Sequence, residues 1–308
     1  MIKKIGLIVL FYTTFIWAHP IDVDLSTQTL ALGEPFKLTV RTESPLSDYK
    51  VKFLNKEFEL FYDTMTKDQY QYIAYLGAKR TAAGGDYVLH INLKCKNKDK
   101  FYQNYKMTLN HPATPKKGKV NLTKKAKKIA SKTKDYSTEG SLLAKKFKLK
   151  TDEQYFKGPF IKPAKGRISS GFATMRTYNN GRTHSHAGVD IANSEGTTII
   201  APQDGVVVLS TDLSIHGGTM LIDHGFGVVS VFCHLEKRLQ PAGTFVTKGT
   251  KIATMGMTGV VSGVHLHWGL SVQNVRVNPL YWLDSTESNL STTEKDQPKF
   301  LQQLSVLN

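Results

Sequence analysis

The chain has 308 residues, long enough for two domains with cores of their own. A hydrophobic content of 40% beside 21% charged residues excludes wholesale disorder. The net charge of +16 suits a polyanion, whether nucleic acid, an anionic membrane surface or an acidic wall polymer, and does not choose among them.

At the N-terminus Lys3 and Lys4 precede an apolar run from Ile5 to Trp17, interrupted only at Tyr12, Thr13 and Thr14. Ala18 then offers a small residue before His19-Pro20. This order reads as a secretory signal over residues 1–18, with an uncleaved anchor as the alternative. The run falls short of the roughly 20 apolar residues a bilayer span needs. Export places the protein in the periplasm or cell envelope and argues against nucleic acid as its partner. Cys95 and Cys233 lie far apart in sequence and read as buried small apolar residues, not as a bridge.

From residue 19 to about 112 the pattern alternates with period two. Ile21, Val23 and Leu25 alternate, then Phe36, Leu38 and Val40, then Val51 and Phe53. Phe58, Leu60 and Tyr62 follow, then Tyr70, Tyr72 and Ala74, then Tyr87 to Leu93, and last Phe101 to Leu109. Six or seven short strands with turns at Leu32-Gly33-Glu34 and Gly84-Gly85-Asp86 predict an immunoglobulin-like β-sandwich. It holds no catalytic constellation and reads as a spacer or binding module.

Residues 113–157 form a lysine-rich linker. Between Ala113 and Lys150 thirteen lysines face only Asp135 and Glu139, a net of +11 (13 − 2) out of the chain's +16. Leu122, Ala126, Ile129, Ala130 and Thr133 recur at helical spacing, with Lys124, Lys125, Lys127 and Lys128 on the other faces. Such a helix either packs its apolar stripe on a neighbour or serves as a foothold on anionic wall polymer or lipid headgroups.

From residue 158 to 284 the chain is rich in glycine and β-branched runs, such as Val206-Val207-Val208-Leu209 and Val228-Val229-Ser230-Val231-Phe232. This predicts a second, all-β domain, so the whole is mainly β. Residues 285–308 form a polar tail in which Phe300, Leu301 and Leu304 could dock.

His186, Asp190, His234, His265 and His267 stand out in the second domain. On a strand, His265 and His267 would point to one face, roughly 6.5 Å apart along the chain, with Leu266 and Trp268 toward a core. In His186-Ala187-Gly188-Val189-Asp190 a straight strand would separate the ends by roughly 13 Å, too far for one ion. The chain must bend near Ala187-Gly188, and glycine permits this. Two imidazole nitrogens and a carboxylate oxygen with one position left for water make a catalytic zinc arrangement. A neighbouring histidine would supply the base and then the acid.

In its second domain the sequence resembles the lysostaphin-type (LytM-like) zinc metallopeptidases. The marks are His186-Ala187-Gly188-Val189-Asp190-Ile191, then Phe232-Cys233-His234-Leu235, then His265-Leu266-His267-Trp268. Ala201-Pro202-Gln203-Asp204-Gly205, Ile222-Asp223-His224-Gly225, Lys248-Gly249-Thr250-Lys251-Ile252 and Asn278-Pro279-Leu280 agree as well. The likeness covers about residues 158–284 in order and spacing. It implies one Zn2+ per chain held by His186, Asp190 and His267. His265 and His234 would be the catalytic pair that activates zinc-bound water and stabilises the oxyanion. It also implies a peptidoglycan substrate, cut in stem peptides or cross-links, and an N-terminal module or linker that partly covers the cleft. His184 reads as a bystander and His224 as a turn-shaping residue.

Two features depart from the family pattern. Ala173 stands where many relatives have glycine in Gly171-Phe172-Ala173, and Arg176 is the one arginine left of a pair. Relatives that lose ligands act as inert activators, whereas all five positions are present here. A lipoyl- or biotinyl-carrier barrel would need a modifiable lysine at a hairpin tip, and none is evident. A second alternative is a non-catalytic wall-binding or regulatory scaffold that uses the immunoglobulin-like module and the lysine-rich linker. The sequence leaves open which bond is cut and the oligomeric state.

Overall fold

The computed structural model describes residues 20–284 except positions 67, 113, 115 and 132. The expected signal segment, residues 1–18, and the polar tail, residues 285–308, lie outside the described residues.

The N-terminal part contains β1 (Ile21–Leu25), β2 (Thr29–Ala31), β3 (Pro35–Thr42), β4 (Leu46–Phe53), β5 (Lys56–Phe58), β6 (Phe61–Thr66), β7 (Gln69–Gly77), β8 (Gly85–Cys95) and β9 (Lys100–Asn110). They make one sheet in the order β1-β3-β7-β6 and another in the order β2-β9-β8-β4-β5. In β8, Leu89, Ile91, Leu93 and Cys95 are buried and the residues between them exposed, the period of a strand with one wet face. Phe36 of β3 and Phe53 of β4 meet edge-on at 5.6 Å and close the two sheets on each other. The expected six or seven strands are therefore nine. The alternation through Phe58, Leu60 and Tyr62 spans two strands, and β2 is too short at three residues to show a period.

The lysine-rich segment holds β10 (Lys117–Val120), α1 (Lys124–Ala130) and α2 (Thr133–Lys146). Thr123 caps α1 by accepting a hydrogen bond from the Ala126 amide. The stripe anticipated as one helix ends at Ala130, and Thr133 opens the second helix instead. Leu122, Ala126 and Ala130 pack inward while the lysines of α1 stay exposed. The strand β10 was not foreseen.

The C-terminal part contains β11 (Arg167–Ser170), β12 (Met175–Tyr178), β13 (Thr183–Ser185), β14 (Val189–Ala192), β15 (Thr198–Ile200), β16 (Gly205–Leu213), β17 (Gly217–Asp223) and β18 (Val228–Arg238). It continues with β19 (Phe245–Val246), β20 (Lys251–Met255), β21 (Leu266–Val272), β22 (Val275–Val277) and a closing 3-10 turn at Pro279–Trp282. The main sheet runs β11-β14-β21-β18-β17-β16-β19. A separate hairpin, β12 with β13, takes β10 of the linker as its third strand, in parallel.

One apolar core runs through both parts. Tyr75 of β7 joins Phe156, Phe160 and Trp282 in a ring cluster with centroids 5.1–5.7 Å apart. Phe61 stacks on Phe226 at 5.1 Å. The Gln273 carboxamide accepts from the Glu59 amide at 2.7 Å and donates to the Glu59 carbonyl at 3.0 Å. Cys95 and Cys233 are both free and buried, as read from the sequence.

Candidate metal centre

Asp190 of β14 lies directly across from His267 of β21, and His267 in turn faces Cys233 of β18. Leu266 and Trp268 on the other face are fully buried. Gly188 bends the chain just before β14, which brings His186 over the same spot. Glycine is needed there for space: an added Cβ would stand 2.4 Å from the Trp268 carbonyl oxygen and 2.9 Å from Cε1 of His267. Its backbone is not left-handed, so the expected reason, conformational freedom, is replaced by close approach. The backbone of His186 is clamped from outside β14. Its amide donates to the Thr174 carbonyl and its carbonyl accepts from the Ala173 amide, each at 2.9 Å.

The side chains converge. Nε2 of His186 is 2.9 Å from Nδ1 of His267 and 3.0 Å from Oδ1 of Asp190, and the last two are 3.1 Å apart. Among the described residues this trio is the cluster able to hold a metal ion. Nδ1 of His186 donates to the Gly171 carbonyl at 2.9 Å, so Nε2 presents a lone pair to the cluster. Burial pushes the His186 imidazole below its ordinary value and takes His267 down to about 3. Burial alone would raise the Asp190 carboxyl. The imidazoles of His186 and His267 against it outweigh burial and hold the group far below the usual carboxylate range. Two neutral imidazoles and a carboxylate with edges near 3 Å fit a cation. Bonds of about 2.0–2.1 Å at tetrahedral angles separate ligand atoms by about 3.3 Å.

His265 and His234 stand beside this trio. His265 Nδ1 donates to the Gly263 carbonyl at 2.9 Å, and its Nε2 is 3.7 Å from Oδ2 of Asp190. His234 Nδ1 donates to the Thr258 carbonyl at 2.9 Å. With Nδ1 so engaged, the neutral form of each ring presents Nε2 as its acceptor, and the two rings lie 4.8 Å apart. His234 has φ +66 and sits where β18 shifts register, a bulge that turns its side chain toward the cluster. Burial, then the neighbouring His265 and His267, press His234 well below an ordinary imidazole.

Of the two other histidines weighed from sequence, His184 is on β13 and stacks on Tyr178 at 5.3 Å. His224 is fully buried, donates to the Asp204 carbonyl at 2.7 Å and meets Ser230 Oγ at 2.8 Å, a structural role. Arg176 proves closer to the cluster than its sequence context suggested. Its guanidinium binds Oδ2 of Asp190 and lies 3.0 Å from Nδ1 of His186. Its place as the one arginine left of the family's pair was its only signal. Ala173, standing where glycine is usual, has φ +59, the left-handed region that explains the preference.

The linker reaches this site. Glu139 of α2 accepts from the amides of Ile215 at 2.9 Å and His216 at 3.2 Å and pairs with His216 Nδ1 at 2.6 Å. The His216 carbonyl in turn accepts from the His234 amide at 2.9 Å. Leu143 and Phe147 lie on Val229, Val231 and Cys233, the face of β18 paired with His267. Arg182 of the β12–β13 turn packs over the Tyr136 ring at 4.0 Å.

Residues 184–279 match the model of Peptidase family M23. All five clustered residues fall within the match. A Haemophilus influenzae protein described as an uncharacterized metalloprotease is 38% identical over 134 residues, 42% of this chain and 28% of its own length. The peptidoglycan DD-endopeptidase ShyC of Vibrio cholerae is 36% identical over 114 residues, 37% of this chain and 26% of its own length. The matched region thus spans less than a third of these relatives. A crystal structure from Pseudomonas aeruginosa, described as a candidate peptidase M23, has a TM-score of 0.55 at 22% identity, covering 78% of this chain and 90% of that one. At that identity the likeness is one of fold.

Proposed function

We propose that the protein is a zinc-dependent endopeptidase that hydrolyses peptide bonds in peptidoglycan stem peptides or cross-links. The observation that carries this reading is the triangle of His186, Asp190 and His267 with two further imidazoles, His234 and His265, turned toward it. The M23 match and the DD-endopeptidase relative support the substrate.

His186 Nε2, His267 Nδ1 and one oxygen of Asp190 would hold the zinc. When bound, it supplies a Lewis acid for the scissile carbonyl and an acidified water. The Nε2 atoms of His265 and His234, beside the ligands, would accept a proton and return it to the leaving amine. Arg176 fixes the outer oxygen of Asp190, which orients the inner one.

The same reading places the protein outside the cytoplasm, in the periplasm or envelope. Among the described residues no helix is long and apolar enough to cross a membrane. The exposed lysines of α1 would bind anionic wall polymer or headgroups, and retention on isolated cell walls should fall as salt rises. The linker restrains the site in this reading, because Glu139 ties α2 to the loop that supports His234. The test of the whole is mass spectrometry of muropeptides released by the zinc-loaded protein. Release that needs zinc supports it, and release unaffected by chelation contradicts it.

A further inference from the structure

Arg276 of β22 is a half-buried cation of the C-terminal domain, and no ion pair engages it among the described residues. Its Nε and Nη2 donate to the Ala187 carbonyl at 3.2 and 2.9 Å. Ala187 lies in the bend between the two residues His186 and Asp190, next to Gly188. The guanidinium reaches this carbonyl by crossing β21 at Gly269, where an added Cβ would stand 1.9 Å from Nη2. From the other side the Phe147 ring covers it at 4.6 Å. Burial pushes the guanidinium down to about 10, so it stays charged at neutral pH.

This arrangement is costly unless it does something. A half-buried cation whose hydrogen bonds go to one backbone carbonyl gains little over an apolar side chain of the same volume. A methionine would fill the slot over Gly269 without that penalty. What only the guanidinium provides is a two-pronged, charge-assisted grip on one carbonyl oxygen. That grip fixes the peptide between His186 and Gly188. Gly188 itself has no room to move, with the Gly269 Cα only 2.9 Å from where its Cβ would be.

We propose that Arg276 is a positioning residue for the metal centre: by holding the Ala187 carbonyl through the slot at Gly269, it sets the bend that lets His186 and Asp190 reach one ion. This rests on His186, Asp190 and His267 being the zinc ligands. Support of ligands from outside their own set commonly changes metal affinity 10–100-fold.

The test compares the full-length wild type with Arg276→Met, Arg276→Lys and His267→Ala. The affinity for zinc is measured by competition with a chromogenic chelator, well below the unfolding temperature of each metal-free protein. Positioning predicts that Arg276→Met binds zinc about 10–100-fold more weakly. Arg276→Lys, with one donor in place of two, should fall between it and the wild type. A purely structural role would lower the unfolding temperature and leave the affinity of the folded protein unchanged. Zinc affinity within threefold of wild type in the arginine variants, with His267→Ala having lost zinc, overturns the positioning role alone. Retained zinc in His267→Ala overturns the ligand assignment instead. If Arg276→Met does not fold, Arg276→Lys decides by the same criterion.

Discussion

His186 Nε2 and His267 Nδ1 lie 2.9 Å apart, although 81 residues separate them in the chain. The meeting depends on Gly188, which bends His186 back over β14, and on the pairing of Asp190 with His267 across two strands. Removing His267 should therefore abolish zinc retention. His265→Ala should keep the metal and lose turnover by about 10²–10⁴-fold, because His265 lies outside the trio and would serve only as base and acid. Metal content after gel filtration, set beside turnover, separates the two. A zinc-replete and fully active His267→Ala protein contradicts the assignment.

Gly188→Ala should be disproportionately harmful for one added methyl group. The new Cβ would meet backbone at 2.4 Å, which cannot give way without moving β21. A loss of about 1–3 kcal/mol in stability or more is expected, together with weaker zinc binding. Denaturant unfolding and chelator competition measure both, and wild-type values in each would show that the bend tolerates a side chain.

Glu139→Gln should raise the rate of hydrolysis. Burial raises the Glu139 carboxyl, but the bonds from His216 and from the Ile215 amide bring it below its ordinary value, so it is ionised where it holds α2 down. Gln keeps the shape and removes the charge. Deleting the N-terminal module is a poorer experiment, since Tyr75 shares a ring cluster with Phe156 and Trp282 and its loss would open the core. An unchanged rate for Glu139→Gln would remove the restraint from the account.

The metal-free protein should lose stability steeply on acidification. His224 is taken down to about 4 and His267 to about 3, chiefly by burial, with His186 and His234 lowered as well. A histidine whose folded value is depressed contributes stability that is whole above 6.5 and disappears as pH falls through the folded value. From 6.5 to about 4, His224 alone accounts for about 3 kcal/mol. Urea unfolding from pH 7 to pH 4 checks this, and His224→Leu should show a flatter profile than the wild type.

How much of this was legible beforehand follows from the range of each signal. The alternation in Leu89, Ile91 and Leu93 is local, and the strand it predicts is there. The three residues of β2 and the parallel strand β10 take their structure from distant partners, β9 and β12, so no local period announces them. At the site, His186, Asp190, His234, His265 and His267 were visible through residue type and spacing, because metal chemistry restricts both. Arg176 and Arg276 were not singled out as partners of the site. A charge beside Asp190 or under Phe147 is defined by tertiary packing, and in sequence Arg276 is only one polar position between Val275 and Val277.

The most direct test of the central claim is the digestion of purified peptidoglycan by zinc-loaded protein, with Glu139→Gln run in parallel and His265→Ala as control. Products would be identified by mass spectrometry. The account predicts new muropeptides whose peptide bonds are cut, absent with chelator, absent with His265→Ala and increased with Glu139→Gln. Intact peptidoglycan after incubation with both the zinc-loaded wild type and Glu139→Gln would contradict it.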